Sequence, residues 1–134
     1  MKTVIVFGPP GSGKMKYVKR QMAYGDLVID HDQLYSCLSG MPIHDRPKNL
    51  FRFIEMIRKE IIRKAKYYPY PGTAWVTLTS FELLKEFNGC EIKKIDSTKS
   101  ECYQNIMNDE TRDFDLWKKI VDDWFEKYRN IQGS

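Results

Sequence analysis

The feature that most constrains this chain is a glycine-rich segment that directly follows a short apolar run near the N-terminus. Residues 8–15 read GPPGSGKM, which is the pattern G-x-x-x-x-G-K, and residues 3–7 before it read as a buried strand. Tyr17, Val18 and Met22 then form an apolar stripe at helical spacing. A strand, a glycine-rich turn and a helix in this order direct backbone N–H groups at an anion, and the lysine reaches phosphate oxygens. We therefore predict a phosphate-binding loop formed by Gly8, Pro9, Pro10, Gly11, Ser12, Gly13, Lys14 and Met15.

The last position of this loop departs from the usual pattern. A serine or threonine hydroxyl normally stands there and holds Mg²⁺, but this chain has Met15. A thioether is a poor ligand for a hard cation that prefers oxygen. The usual second Mg²⁺ anchor is also missing, because the predicted third strand is followed by Thr79 and Ser80 instead of a carboxylate. The sequence therefore predicts nucleotide binding and assigns no metal ligand. Mg²⁺ stays possible without its usual ligands, and it would have to rely on Asp30 or Asp32, Asp96, Ser12 or water.

Length and composition limit the class of protein. With 134 residues, of which 42% are hydrophobic and 30% charged, the chain fits one globular domain over residues 1–134. No apolar stretch approaches the ~20 residues of a membrane span, and the N-terminus reads as a strand rather than a signal peptide. Three cysteines without metal-ligand spacing favour free thiols in a reducing cytoplasm; they are Cys37, Cys90 and Cys102. A net charge of +4 permits contact with phosphates or nucleic acid.

The rest of the chain alternates strand and helix patterns. We predict strands at residues 27–29, 74–78 and 90–95, and helices at residues 48–68, 99–107 and from 114 onward. Thr79 and Glu82 predict a capping box for a further short helix, and Thr98 and Glu101 predict another. This order predicts an α/β fold with a short parallel sheet of about four strands and helices on both faces, a three-layer αβα arrangement.

Two carboxylates follow the predicted second strand. Asp30 and Asp32 flank His31, and open parallel sheets bind ligands outside the carboxyl ends of their strands. A carboxylate at this edge can accept a proton from a substrate hydroxyl or orient hydrated Mg²⁺. We prefer Asp32 as the base with Asp30 in support, although the sequence does not order the two, and the alternative is that they cap the next helix. The segment beyond them, which contains Gly40, is predicted to be a loop.

Basic residues near the long central helix are candidates for substrate contact. Arg46, with His44 nearby, precedes this helix, and a guanidinium matches phosphate oxygens in a two-point geometry. The alternative is an ordinary helix start with Pro47 in the first turn. The helix itself carries an excess of basic residues, Arg58 among them, and we interpret it as a solvated face rather than a nucleic-acid surface.

A polar segment, residues 108–113, precedes the last helix and contains Arg112. In a phosphotransferase, such an arginine can close over the nucleotide and neutralise developing charge, and the alternative is an ordinary loop. Trp117 and Trp124 share one stripe of the last helix, which favours packing over base stacking. The candidate catalytic residues are therefore Lys14, Asp32, Asp30 and Arg112, and the candidate substrate-binding residues are Arg46 and His44.

On these motifs the chain resembles the small phage-type P-loop NTPases that often carry the label AAA-family ATPase. These are related in architecture to polynucleotide kinases and other nucleotide-kinase-like phosphotransferases. The resemblance covers nearly the whole chain and rests on residues 8–14, 25–30, 38–40, 44–47, 75–77, 101–102 and 124–125. It implies a P-loop NTPase fold, ATP or another NTP as cofactor, and transfer of the γ-phosphate to a nucleic-acid or nucleotide hydroxyl. Asp32 or Asp30 would be the base and Arg112 the lid arginine, while Met15 and Asn105 depart from the family pattern.

Two functions stay open on the sequence. The first is a nucleotide-binding, kinase-like phosphotransferase or weak ATPase in phage nucleic-acid metabolism, located in the host cytoplasm. The second is a catalytically degenerate protein that binds a nucleotide or another anion and works through a protein or nucleic-acid partner. Both predict a nucleotide or anion ligand and no membrane association.

Overall fold

The apolar run at the N-terminus becomes a central strand of a parallel sheet. In the computed structural model, which describes residues 1–132, β1 (Lys2–Phe7) pairs with β3 (Thr73–Leu78) on one side and with β4 (Glu91–Lys94) on the other. β2 (Leu27–Ile29) pairs with the outer edge of β3, so the sheet of these residues has the order β2-β3-β1-β4. All pairings are parallel, which confirms the prediction of a short parallel sheet of four strands within the described residues.

Helices connect the strands in the order that the sequence pattern predicts, with one addition. They are α1 (Lys14–Gln21), α2 (His31–Ser39), α3 (Phe51–Lys66), α4 (Phe81–Leu84), α5 (Lys99–Met107) and α6 (Phe114–Gln132). Short 3₁₀ turns lie before α3, at Lys48–Leu50, and after α4, at Lys85–Phe87. Over residues 1–132, the structure contains no helix with the length and apolar character that a bilayer crossing requires.

These helices cover the sheet on both faces. Ile5 and Val76 of the sheet share a buried cluster with Ala65, so α3 packs on the face to which these strand residues point. Successive side chains of a strand point to opposite faces, and Trp75, next to Val76, contacts Tyr17 of α1 with ring centroids 6.5 Å apart. The result is a helix–sheet–helix arrangement, which confirms the predicted α/β class.

The two C-terminal helices pack against each other and form a separate buried cluster. Its buried members are Cys102, Ile106, Trp117 and Val121. The predicted capping box at the start of α5 is confirmed, because Thr98 and Glu101 exchange side-chain-to-backbone hydrogen bonds of 3.1 and 3.2 Å. This start fixes α5 directly beyond β4, next to the glycine-rich loop.

The prediction of a loop after Asp32 was wrong, because residues His31–Ser39 form α2. Tyr35 is the buried side chain of this helix. Local signals for this helix are present in the sequence, because Leu34, Tyr35 and Leu38 follow helical spacing between the N-cap Asp30 and the C-cap Gly40.

The predicted cap of the short helix α4 was wrong by one residue. Ser80, not Thr79, is the N-cap, and its hydroxyl accepts a hydrogen bond of 3.2 Å from the Leu83 amide. Thr79 instead uses its carbonyl to accept the indole N–H of Trp124 at 2.8 Å. The residue before the cap is therefore held by a contact with the distant helix α6.

Candidate functional site

A cleft of about 460 Å³ opens at the edge where β1, β2 and β3 end. The register pairs Phe7 with Leu78 and Ile29 with Val76, so the residues that follow these strands reach a common edge. The cleft is lined by every site residue that we predicted outside the loop, namely Asp30, Asp32, His44, Arg46 and Arg112. Six residues of the predicted loop also line the cleft, namely Pro10, Gly11, Ser12, Gly13, Lys14 and Met15. The other two, Gly8 and Pro9, line a separate groove.

The glycine-rich loop, defined here as residues 8–13, is held in place by α5. Gly11 and Gly13 adopt φ angles of 74° and 88°, a region that favours glycine. A Cβ added at Gly11 would lie 2.9 Å from Cγ2 of Ile106, whereas one at Gly13 would meet open space. The side-chain amide of Asn105 also donates a 2.7 Å hydrogen bond to the Gly11 carbonyl. α5 therefore packs against the loop at Gly11, whereas the space next to Gly13 is empty.

Lys14 turns its ammonium group back onto the loop. Nζ donates hydrogen bonds to the carbonyls of Gly8 at 3.1 Å and Pro9 at 2.8 Å. Burial lowers the pKa of Lys14 to about 7, Asp30 opposes this effect, and Arg112 adds to it. Since the hydrogen-bond partners are neutral carbonyls, an anion in the cleft would stabilise the charged form of this lysine.

Asp30 follows β2 and connects it to α2 and β3 through hydrogen bonds. It is the N-cap of α2, and its Oδ2 accepts the Gln33 amide N–H at 3.0 Å. Its Oδ1 accepts the hydroxyl of Thr77 at 2.6 Å, a partner that the sequence analysis did not identify. The β2–β3 register explains this contact, because Ile29 lies beside Val76 and the next residues therefore meet. Asp30 therefore caps the next helix, which was the alternative role that the sequence left open for it.

Asp32 forms a two-point ion pair with Arg46. The Arg46 Nε donates to Oδ1 at 2.6 Å, and its Nη2 donates to Oδ2 at 2.9 Å. Burial raises the pKa of Asp32, but the hydrogen bonds and charge of Arg46 outweigh burial and hold this pKa below its ordinary value. A carboxylate in this state is a weak proton acceptor, so Asp32 can act as a base only after Arg46 releases it.

His44 and Arg112 belong to a ring of polar contacts that joins two distant segments. Nη2 of Arg112 lies 3.1 Å from Nε2 of His44, and a guanidinium can only donate, so Nε2 accepts. The Nδ1–H of His44 then donates to the Thr111 hydroxyl at 2.8 Å, which donates to Asp109 at 2.5 Å. Asp109 closes the ring as an ion pair, with Oδ2 3.2 Å from Nε of Arg112 but not in hydrogen-bond geometry. Burial lowers the pKa of His44 and Arg112 lowers it further, which agrees with a neutral imidazole.

Arg112 also faces the glycine-rich loop. Its Nη1 is buried without a hydrogen-bond partner among residues 1–132, and it would lie 3.7 Å from a Cβ at Gly11. The buried ring of Trp117 lies under the guanidinium, 4.3 Å from Cζ, and the same ring lies 4.8 Å from Cζ of Arg46. From the sequence we predicted packing for Trp117 but not its contact with two site arginines, because only the fold brings α6 against residues 44–46.

Arg58 is a buried cleft residue, contrary to our prediction from the sequence. We interpreted the basic side chains of this helix as solvated, but Arg58 is 6% exposed and lines the cleft. The pattern contained a signal, since Arg58 stands four residues after Ile54 and three before Ile61. Helical spacing therefore places it on the apolar stripe rather than on the opposite face.

The cleft side chains do not fit a protein-held magnesium ion. Asp30 and Asp32 use both carboxylate oxygens for other partners, and Met15 on the cleft wall offers a thioether. Within residues 1–132, no three or more His, Cys, Asp and Glu side chains are grouped so that they could hold a metal ion.

Comparison with known proteins concerns the fold. No family model matches the sequence, and no curated protein matches it. Among solved structures, the chain is similar to TT1252 from Thermus thermophilus, with a TM-score of 0.58 and 13% sequence identity over 96% of this chain and 84% of that chain. At this identity, the similarity describes a shared α/β fold and carries no activity from one protein to the other.

Proposed function

We propose that this chain binds the polyphosphate of ATP or another nucleoside triphosphate at its glycine-rich loop. The observation that carries the proposal is the Lys14 ammonium, whose hydrogen bonds go to the carbonyls of Gly8 and Pro9. Oγ of Ser12 in the loop and Nη1 of Arg112 beside the loop are buried without hydrogen-bond partners among the described residues. Phosphate oxygens are the acceptors that such donors lack. Lys14, Arg112 and the loop backbone would therefore hold the phosphates.

The proposed activity is a slow, kinase-like phosphotransfer or ATP hydrolysis. Lys14 and Arg112 would neutralise charge that develops on the transferred phosphoryl group. Asp32 would accept the proton of the attacking hydroxyl, and Arg46 must first leave Asp32 because the ion pair suppresses its basicity. A phosphate-bearing acceptor could draw Arg46 away, which would couple acceptor binding to activation of the base.

A second candidate is a protein that binds nucleotide without turnover. The observation in its favour is that Asp30 caps α2 and Asp32 pairs with Arg46, so both candidate bases already have partners. Met15 also removes the usual loop hydroxyl. In this case the bound nucleotide would support a surface for a protein or nucleic-acid partner.

Two measurements test these proposals. Titration calorimetry with ATP should show binding that Lys14→Ala weakens at least tenfold, and absence of binding by the wild type would contradict both candidates. Incubation with γ-labelled ATP, Mg²⁺ and either nucleoside monophosphates or 5′-hydroxyl oligonucleotides should yield labelled product or labelled phosphate above the Lys14→Ala background. Binding without any product would favour the second candidate.

Met15→Thr separates a weakened active site from a purely binding one. The variant restores the hydroxyl that this loop position normally supplies to Mg²⁺. If the other catalytic groups are competent, we expect Mg²⁺-dependent turnover to rise at least tenfold, which corresponds to ~1.4 kcal/mol of transition-state stabilisation. Met15→Ala is the matched control, because it removes the thioether without adding an oxygen, and an equal gain in both variants would contradict the role of the hydroxyl.

A further inference from the structure

Arg58 is a buried cation in the cleft that the proposed function does not use. Its side chain is 7% exposed and it projects from α3 into the wall of the cleft. Its Nε is fully buried and has no hydrogen-bond partner among residues 1–132. An arginine that serves only the fold normally satisfies its N–H groups with carboxylates or carbonyls.

The nearest carboxylate does not satisfy this guanidinium. Glu55 Oε1 lies 3.6 Å from Nη2 of Arg58, beyond hydrogen-bond distance. The same Oε1 lies 2.9 Å from Nδ1 of His31, so it already has a closer partner. Asp30 and Asp32 attract Arg58 through their charge, but both are bonded elsewhere. Arg58 therefore retains donors for a ligand oxyanion.

We propose that Arg58 forms a second oxyanion site in the cleft, which takes the phosphate group of a phosphorylated acceptor, and this inference rests on the proposed function for the donor nucleotide at the glycine-rich loop. A guanidinium offers parallel N–H donors that match two phosphate oxygens. Arg46 lies close enough to influence Arg58 by its charge, and Asp32 occupies only its Nε and Nη2. An acceptor phosphate between the two arginines would also compete with Asp32 for Arg46.

The phosphate can belong to a free nucleotide or to an oligonucleotide, and the test separates these sources. Four nucleoside 5′-monophosphates (AMP, GMP, CMP and UMP) and a 5′-hydroxyl dinucleotide are titrated calorimetrically into the wild-type protein, with the four nucleosides as phosphate-free controls. We expect at least one phosphate-bearing probe to bind and the nucleosides to bind at least tenfold more weakly. The probe that binds identifies the source, and a wild-type protein that binds none of them overturns the inference.

Arg58→Met tests the residue and Arg63→Met is the matched control on the same helix. Arg63 is exposed and pairs with Glu60. We expect Arg58→Met to weaken the binding probe at least tenfold and to leave ATP binding unchanged, while Arg63→Met changes neither. Equal affinity of Arg58→Met and wild type for that probe overturns the inference. Lys14→Ala should lose ATP binding and keep the phosphate probe, so failure of the ATP site and failure of the Arg58 site give different results.

The fold of the variants is checked by thermal unfolding. Methionine has a similar length and replaces a buried guanidinium whose Nε lacks a hydrogen-bond partner among residues 1–132, so Arg58→Met should melt close to the wild type. If this variant does not fold, Arg58→Lys replaces it, because lysine keeps the charge and loses the planar two-point geometry. We expect Arg58→Lys to weaken the phosphate probe at least threefold, and unchanged affinity overturns the inference.

Discussion

At the scale of single residues, the chemistry of the cleft depends on which charges already have partners. Asp32 and Arg46 satisfy each other, whereas Lys14 has neutral hydrogen-bond partners. The sequence predicted these residue types near one another, but it could not predict which charges pair. Pairing depends on side-chain distances of a few ångströms, and residues 32 and 46 are separated by the rest of α2 and the segment that follows it.

Binding of ATP should be accompanied by proton uptake at Lys14. The pKa of this lysine in the free protein is about 7, lowered by burial, so a large part is uncharged at pH 8. Phosphate oxygens favour the charged form and raise the pKa, which draws a proton from the buffer. Calorimetric titrations at pH 8 in two buffers of different ionisation enthalpy should give different binding enthalpies. Equal enthalpies would contradict this prediction.

The ion pair of Asp32 should contribute to stability above acidic pH. Its folded pKa lies below the ordinary value of 3.8, so the unfolded chain binds more protons as the pH falls, and the contribution disappears as pH drops through the folded pKa. We expect Arg46→Met to lower the free energy of unfolding by roughly 1 kcal/mol at pH 7, since the pair is partly exposed. Urea denaturation should show that the gap between variant and wild type narrows below pH 4. A gap that is constant from pH 7 to pH 3 would indicate that Arg46 stabilises only by packing on Trp117.

At the scale of elements, α2 decides how the carboxylates are used. Asp30 ends β2 and caps α2 at the same time, so it connects sheet and helix through Thr77 and Gln33. β1, β2 and β3 were predictable because β-branched, apolar runs bounded by turn residues have a strong local signal, whereas the exposed β4 was predicted from its place between Gly89 and Asp96. α2 was missed because Gly40 and Pro42 were interpreted as marks of a loop, although Asp30 and Gly40 bound a nine-residue helix as its N-cap and C-cap.

Asp30→Ala and Asp30→Asn distinguish the capping role from a chemical role. Alanine removes the cap and leaves the Thr77 hydroxyl unpaired, and we expect a loss of ~1–3 kcal/mol in unfolding free energy. Asparagine keeps a side-chain oxygen for the cap and should lose less than ~1 kcal/mol. Urea denaturation measures both. If Asn and Ala cost the same stability, capping does not explain the position of Asp30.

At the scale of the whole molecule, the cleft is assembled from segments that are far apart in the chain. The glycine-rich loop contacts α5 through Gly11, Asn105 and Ile106, and Arg112 reaches His44 across 68 positions. These contacts close the loop against the C-terminal helices. Loop conformation should therefore depend on the packing of α5 as well as on the loop's own glycines.

Gly11→Ala and Gly89→Ala separate backbone strain from this packing. Both glycines have positive φ, 74° and 88°, but a Cβ meets Ile106 at 2.9 Å only at Gly11 and has open space at Gly89. We expect Gly89→Ala to cost about 1 kcal/mol through backbone strain alone. Gly11→Ala should cost roughly 1–3 kcal/mol more, because the loop or α5 must shift. Denaturation midpoints and slopes measure the difference, and equal costs would show that α5 does not constrain the loop.

The sequence by itself determined the α/β class, the parallel strands, the capping box of α5 and the position of the glycine-rich loop between strand and helix. Each of these follows from local spacing, because periodicity and turn chemistry act over a few residues. Only the tertiary structure decided that Asp32 is paired with Arg46, that Trp117 lies against two arginines and that Arg58 is buried in the cleft. These outcomes depend on which distant segments meet at the ends of the strands. The contacts between these segments determine which charges of the site are paired, and local sequence patterns carry no information about such long-range contacts.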